Sequence, residues 1–311
     1  MLRAIWIVSL VAGILGMQAA CVAQYDRPGS TDAQFLRIGV SPRGTALSDA
    51  YIAVVSGAEA TYYNSSALAW MSGTDVVLNH NRWFAGIAHD FFAAAHNFGD
   101  LGAIGFSVTS LRTDLMEVRT PLQPEGTGET FFAANYKFAV SYAHLLTDHV
   151  SLGASLGYIY MSLFHDFSAK AFSVDIAATY VSSFRGFCFG MQIMNFGSSI
   201  QYVNESYPLP TNFTFGMAIN AIDEETQKVI VSLAAVKPNE GAPQAQVGVE
   251  WNYDDFLFLR SGYRLVNPIT TFSAGGGIHF GVSDFTARVD YSYSGYKLLG
   301  AAHRIGIGLE F

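Results

Sequence analysis

The chain has 311 residues and a net charge of −8; half of its residues are apolar and 14% are charged, against about 25% in an ordinary soluble domain. Its 24 Phe, 16 Tyr and 30 Gly exclude a disordered chain, and its acidic balance excludes nucleic acid as a partner. After the N-terminus no run of about 18 to 20 apolar residues offers a spanning helix, which leaves the outer-membrane β-barrel as the class that fits.

Met1-Leu2-Arg3 is a short positive region, Ala4 to Gly16 is an apolar stretch, and small residues follow through Ala19-Ala20-Cys21-Val22-Ala23. Residues 1–23 therefore read as a secretory signal cleaved after Ala23. A rival is lipoprotein processing at Cys21, against which stands Gln18 three residues earlier. The other cysteine, Cys188, has no partner left in a mature chain, so no disulfide framework is expected.

Residues 24–73 do not alternate. They are small and apolar, and such a segment before a barrel is expected to bury itself in the lumen as a plug. From Asp75 onward the pattern changes to period two. In the last segment Ile305, Ile307, Leu309 and Phe311 oppose Arg304, Gly306, Gly308 and Glu310. A strand presents those two sets to opposite faces, one suited to lipid and one to a polar lumen. Fourteen such segments follow, spanning about 75–80, 88–96, 101–111, 129–143, 150–162, 170–182, 187–196, 211–221, 227–236, 244–253, 256–265, 271–280, 284–293 and 301–311. Short and long connections alternate between them, as when periplasmic turns are tight and extracellular loops free. An even strand number puts both chain ends in the periplasm. A soluble β-sandwich also alternates, but its outer face carries charge, whereas here the polar face is mostly Gly, Ser and Ala. The fold class is thus all-β, a transmembrane antiparallel barrel of about 14 strands, divided as 1–23 signal, 24–73 plug and 74–311 barrel.

Charges on the inward faces of the last strands are Glu250, Arg260, Arg264, Arg288, Asp290, Arg304 and Glu310, with Lys137 and Asp175 elsewhere. Inside a wall they must pair or be wet. One reading is a salt-bridge network that fixes the plug; the other is a selectivity surface for a permeating anion. Trp83 and Phe84 lie on the first expected extracellular loop, and Tyr202, Tyr207, Pro208 and Leu209 on another. Aromatics on such loops suit either contact with a protein partner or a girdle at the lipid boundary.

The plug also carries a family signature. Phe35-Leu36, Ile38-Gly39, Arg43, Ala46, Ala50-Tyr51 and Ala53, then Tyr62, Asn64 and Ala67-Leu68-Ala69, resemble the PorV/PorQ family of outer-membrane proteins. Asn81-Arg82-Trp83-Phe84, Phe187 to Gly197 and Pro208 to Phe213 extend the resemblance over nearly the whole mature chain. The chain departs from the family pattern where Ser48-Asp49 replaces Gly-Gly and Ser65 replaces a Pro. The resemblance implies a FadL-type barrel associated with type IX secretion. Its plug motif falls on Arg43, Tyr62, Asn64, Ala67 and Leu68. Its partners would be outer-membrane lipid, a secretion translocon and secreted proteins with C-terminal signal domains.

No site for chemistry emerges. The eight His are scattered, no His-x-x-x-His or Cys-x-x-Cys occurs, and no Gly-x-Ser-x-Gly elbow is present. Gly275-Gly276-Gly277 sits inside an alternating strand and reads as close packing in a wall. The expectation is a protein that is not an enzyme, with no catalytic residues, cofactor or metal. Two functions follow: a secretion component that binds clients or the translocon through its loops, or a FadL-like channel for hydrophobic small molecules. The second needs an apolar pocket under the plug, which Phe106, Met194 and Ile230 line if the register slips.

Overall fold

A computed structural model describes residues 28–164, 167–266 and 270–311. The expected signal segment with Cys21, residues 24–27 and His165 lie outside the described residues. Fourteen strands form the wall: β1 (Thr74–Arg82), β2 (Ala88–Asn97), β3 (Ala103–Arg112), β4 (Ala134–Thr147), β5 (Val150–Phe164), β6 (Phe167–Val181) and β7 (Cys188–Gly197). They continue with β8 (Asn212–Asp223), β9 (Gln227–Pro238), β10 (Gln244–Tyr253), β11 (Leu257–Arg264), β12 (Thr270–Val282), β13 (Phe285–Tyr296) and β14 (Gly300–Glu310). Each pairs antiparallel with its sequence neighbours, and β1 closes on β14 with Leu78 opposite Ile307. Closure leaves the wall itself without a free edge, which a bilayer would leave unsatisfied.

The alternation read from the sequence is the alternation of burial. Ile305 and Ile307 are exposed, while Arg304, Gly306 and Gly308 are buried between them. Leu156 and Phe172 keep 68% and 66% of their surface outside, on adjacent strands. Such a belt of large apolar side chains suits lipid and not water. No helix among the described residues is long and apolar enough to cross a membrane.

One expectation is corrected. Residues 129–133 do not belong to the fourth strand, because Thr130–Phe131 pairs with Met116–Glu117 in a separate ladder of the long loop. The barrel strand begins at Ala134 instead and runs on to Thr147 over a register shift near Leu145. Thr74 and Phe311 hydrogen-bond each other at the short-turn end, as an even barrel requires. The first described residues lie at the opposite end: the Gly29 amide donates to Glu240 at 2.5 Å, and the Asp32 amide to the Pro208 carbonyl at 3.1 Å.

Residues 28–73 therefore thread the barrel from the long-loop end to the short-turn end. They hold two short helices, α1 (Pro42–Ala46) and α2 (Ala60–Tyr63), and several 3-10 turns. Ser41 caps α1 by accepting from the Gly44 amide at 3.1 Å, and Pro42 supplies a preset φ at the first position. The helix stops because Ser48 and Asp49 turn left-handed, at φ 55° and 65°. Those are the two positions where the PorV/PorQ pattern has Gly-Gly.

The plug fills the lumen. Leu47, Tyr51, Ala60 and Leu68 form one buried cluster with Val77, Phe91, Ala93 and Ala103 of the wall. Phe35 and Leu36 form another with Ile159, Met161, Ile200 and Leu209. Each fully buried large side chain contributes about 1.5–3 kcal/mol. The wall makes room with glycine: a side chain at Gly262 would overlap the Leu47–Ser48 backbone, and one at Gly153 the Ser65–Ser66 backbone.

Candidate functional site

The plug signature serves packing and satisfaction of buried polar groups. Arg43 binds Glu250 through both ends of its fork, at 2.7 and 2.8 Å. The Tyr62 hydroxyl lies 2.9 Å from the carbonyls of both Leu36 and Ile38. The Asn64 amide donates to Ile52 O and Thr179 Oγ1, both at 2.8 Å. Ala67 closes the following turn onto the Asn64 carbonyl at 2.9 Å, and Leu68 is fully buried.

The seven inward charges of the last strands do not form one network. Glu250 on β10 is shared by Arg43 and by Arg260 at 2.6 Å, and Arg260 continues to Asp290, which His279 approaches at 3.7 Å. Arg264 pairs with Asp49 of the plug. Arg288 pairs with Asp75 at 2.5 Å, and Asp75 also accepts from the Ala58 amide at 2.7 Å. Lys137 and Asp175 pair at 3.0 Å on the far wall. Glu310 borders a cavity with Arg288 and Asp75 but makes no ion pair among the described residues. Arg304, 2% exposed, donates to Gly39 O at 3.3 Å and Ser294 Oγ at 3.2 Å, both neutral groups.

Sequence reasoning passes over the plug's own acids. Asp49 and Glu59 stand inside a run of small and apolar residues, where an acid is expensive unless bound. Glu59 gathers the Ser41 hydroxyl at 2.6 Å, the Tyr51 hydroxyl at 2.9 Å and the Asn79 amide at 3.0 Å. An acid in so apolar a stretch is the signal that points to both.

The loop aromatics are less free than expected. Trp83 and Phe84 are half-buried and stack edge-on against Tyr296, at 5.5 and 5.1 Å between ring centres. The Trp83 ring faces the Arg304 guanidinium at 5.5 Å. The 198–211 loop folds inward, so Leu209 is 1% exposed and Tyr202 half-buried against the Phe35 cluster, while Tyr207 stays outside. A loop that must cover an apolar plug end spends its own apolar residues there. Phe106 faces outward and Ile230 borders none of the cavities described below, whereas Met194 reaches one of them.

Cavities flank the plug at both of its ends. One of about 280 Å³ lies at the short-turn end, bordered by Trp70, Asp75, Thr179, Cys188 and Arg288. One of about 210 Å³ opens at the long-loop end between Arg37, Arg264, Arg304 and Trp83. A third, of about 100 Å³, shares Arg37, Asp49 and Arg264 with it and continues to Tyr62 and Met194. Among the described residues no group of three or more His, Cys, Asp and Glu side chains could hold a metal.

Two mouth groups are tuned. Burial pushes the Glu240 carboxyl up, but the Thr31 hydroxyl, the Gly29 and Thr31 amides and Arg37 outweigh it and hold the carboxyl below its usual range. Burial lowers the Arg37 guanidinium below its usual value, with Glu240 opposing and Arg264 adding to the effect.

The fold is that of an outer-membrane β-barrel of the FadL type. The toluene transporter TbuX of Ralstonia pickettii matches over 87% of this chain and 97% of its own, at 14% identity and a TM-score of 0.57. The monoaromatic hydrocarbon channel CymD matches over 88% and 98%, at 12% and 0.58. A FadL homologue of Pseudomonas aeruginosa matches over 87% and 97%, at 10% and 0.52. At such identities the likeness is one of fold. No protein-family model and no curated protein matches the sequence.

Proposed function

We propose that this protein is a non-enzymatic, FadL-like outer-membrane channel for small hydrophobic molecules. The observation that carries the reading is the pairing of a fourteen-strand wall with a lumen-filling plug, in a fold shared with barrels described as a toluene transporter and a monoaromatic hydrocarbon channel. A cavity at each end of the plug supports it, since small-molecule sites are concave and few per protein. The filled lumen means that passage requires the plug to shift against the wall. Short turns would face the periplasm and long loops the exterior.

The secretion reading, in which the barrel binds a type IX translocon or secreted clients through Trp83, Phe84, Tyr202 and Tyr207, rests on the plug signature. Arg43, Tyr62, Asn64, Ala67 and Leu68 all have structural work inside the barrel, which a channel needs equally.

The test is uptake of a fluorescent hydrophobic tracer into liposomes holding the full chain. The Thr45→Cys/Ser292→Cys variant replaces two hydroxyls 2.8 Å apart, one on the plug and one on β13. Oxidised, it should block uptake, and reduction should restore it. Uptake unaffected by the lock, or no uptake above empty liposomes, contradicts the reading.

A further inference from the structure

The basic groups of the lumen divide into two kinds. Arg43, Arg260, Arg264, Arg288 and Lys137 each have a carboxylate partner. Arg304 and Arg37 have none among the described residues. Arg304 is almost wholly buried; among the described residues it donates to a carbonyl and a hydroxyl and lies against an indole face. Among the described residues the Arg37 side chain makes one hydrogen bond, to Gln34 Oε1 at 3.5 Å. Burying a guanidinium without a counter-charge is costly, so a fold that keeps one has a use for it.

Both unpaired arginines border the mouth cavity of about 210 Å³, and Arg264 stands beside them. Among the described residues lining that cavity the one carboxylate, Asp49, is engaged by Arg264. Glu240 acts on Arg37 from nearby but is occupied by Thr31 and the Gly29 amide. Three positive groups thus meet one spent negative group, which leaves the cavity with unmatched positive charge. Trp83 and Tyr296 give it an aromatic wall at the same place. A guanidinium prefers a planar, two-oxygen anion, and the rings prefer a flat apolar body. The volume lies below the usual 300–1,000 Å³ range of small-molecule sites, which favours a one-ring ligand over a long chain.

We propose that the mouth cavity binds a one-ring aromatic carboxylate, with the carboxylate held by Arg304, Arg264 and Arg37 and the ring against Trp83 and Tyr296. The inference rests on the channel reading and names the class of ligand that enters it. A neutral hydrocarbon would leave the unmatched charge without a purpose.

The test is calorimetric titration of the purified full chain in detergent with benzoate, toluene and inorganic phosphate. Arg37→Gln and Arg304→Gln are titrated alongside, with barrel folding checked by heat-dependent gel migration. Benzoate should bind saturably, and each substitution should weaken it at least tenfold while toluene affinity stays within twofold. Arg37 is in no ion pair, so Arg37→Gln still tests the proposal if the buried Arg304→Gln does not fold. Benzoate affinity unchanged in Arg37→Gln overturns the proposal, as does phosphate binding as tightly as benzoate. If toluene binds and benzoate does not, the proposal fails and the channel reading stands; if neither binds, both lose support.

Discussion

The plug is held differently on its two sides. Toward β10–β14 it is clamped by charge: Arg43 to Glu250 and Asp49 to Arg264, with the Arg288–Asp75 pair anchoring Ala58 at its exit. Toward β4–β6 it is held by fit. There Ser66 and Asn64 meet Thr179, Trp70 Nε1 donates to Ser151 at 2.9 Å, and the Ser65–Ser66 backbone lies where a side chain at Gly153 would be. Charge-based contacts are strong but can be exchanged for water or a ligand. Steric contacts are each weak but allow no displacement. A plug that shifts would release on the charged side and pivot on the small-residue side.

The largest effect is expected from breaking the clamp. Glu250→Gln leaves Arg43 and Arg260 buried without their shared carboxylate and should cost about 3 kcal/mol or more. Denaturant unfolding of the barrel would read this, with protease access to residues 28–73 reporting whether the plug comes loose. On the opposite side, Ser141→Ala removes one 2.7 Å hydroxyl pair with Ser155 and should cost only about 1 kcal/mol. Gly153→Val attacks the steric side where it is least tolerant. Its side chain meets backbone, so about 1–3 kcal/mol is expected, with protease access rising at Ser65–Ser66 before it rises at Arg43.

Smaller effects sharpen the picture. Ser48 carries a left-handed φ of 55° with no glycine to relieve it, so Ser48→Gly should raise stability by about 1 kcal/mol in the same unfolding measurement. Asp49 shares the conformation but forms the Arg264 pair, so Asp49→Gly should destabilise instead. The smallest effect concerns acid. The folded Glu240 carboxyl titrates below its unfolded value of about 4.3, so its hold on residues 29–31 is complete above that pH and is lost as pH falls through the lower folded value. Hydrogen exchange over residues 28–36 should show protection above that of Glu240→Gln at neutral pH, and the two should converge only once pH has fallen through the lowered folded value.

The wall is largely legible because a strand repeats every two residues and lipid demands large side chains on alternate ones. Gln244–Tyr253 appears with the limits its alternation implies. The fourth strand starts later than its pattern suggests because Thr130 and Phe131 have the composition of a wall strand yet find partners in Met116 and Glu117, and composition does not choose between partners. The inward charges are visible as types and faces, but their partners are not. Glu250 pairs across 207 residues with Arg43, and no local pattern connects them. The loop aromatics are hard to place for a related reason: whether Trp83 faces solvent or covers the lumen depends on Tyr296 and Arg304, far along the chain.

The most direct measurement is native mass spectrometry of the full-length protein drawn gently from its own outer membranes. The account predicts a small hydrophobic molecule bound at about one per barrel, and no large protein partner. Recovery with a very large translocon barrel, or with proteins sharing a C-terminal β-domain, and without a bound small molecule, would contradict it and return the secretion role to the front.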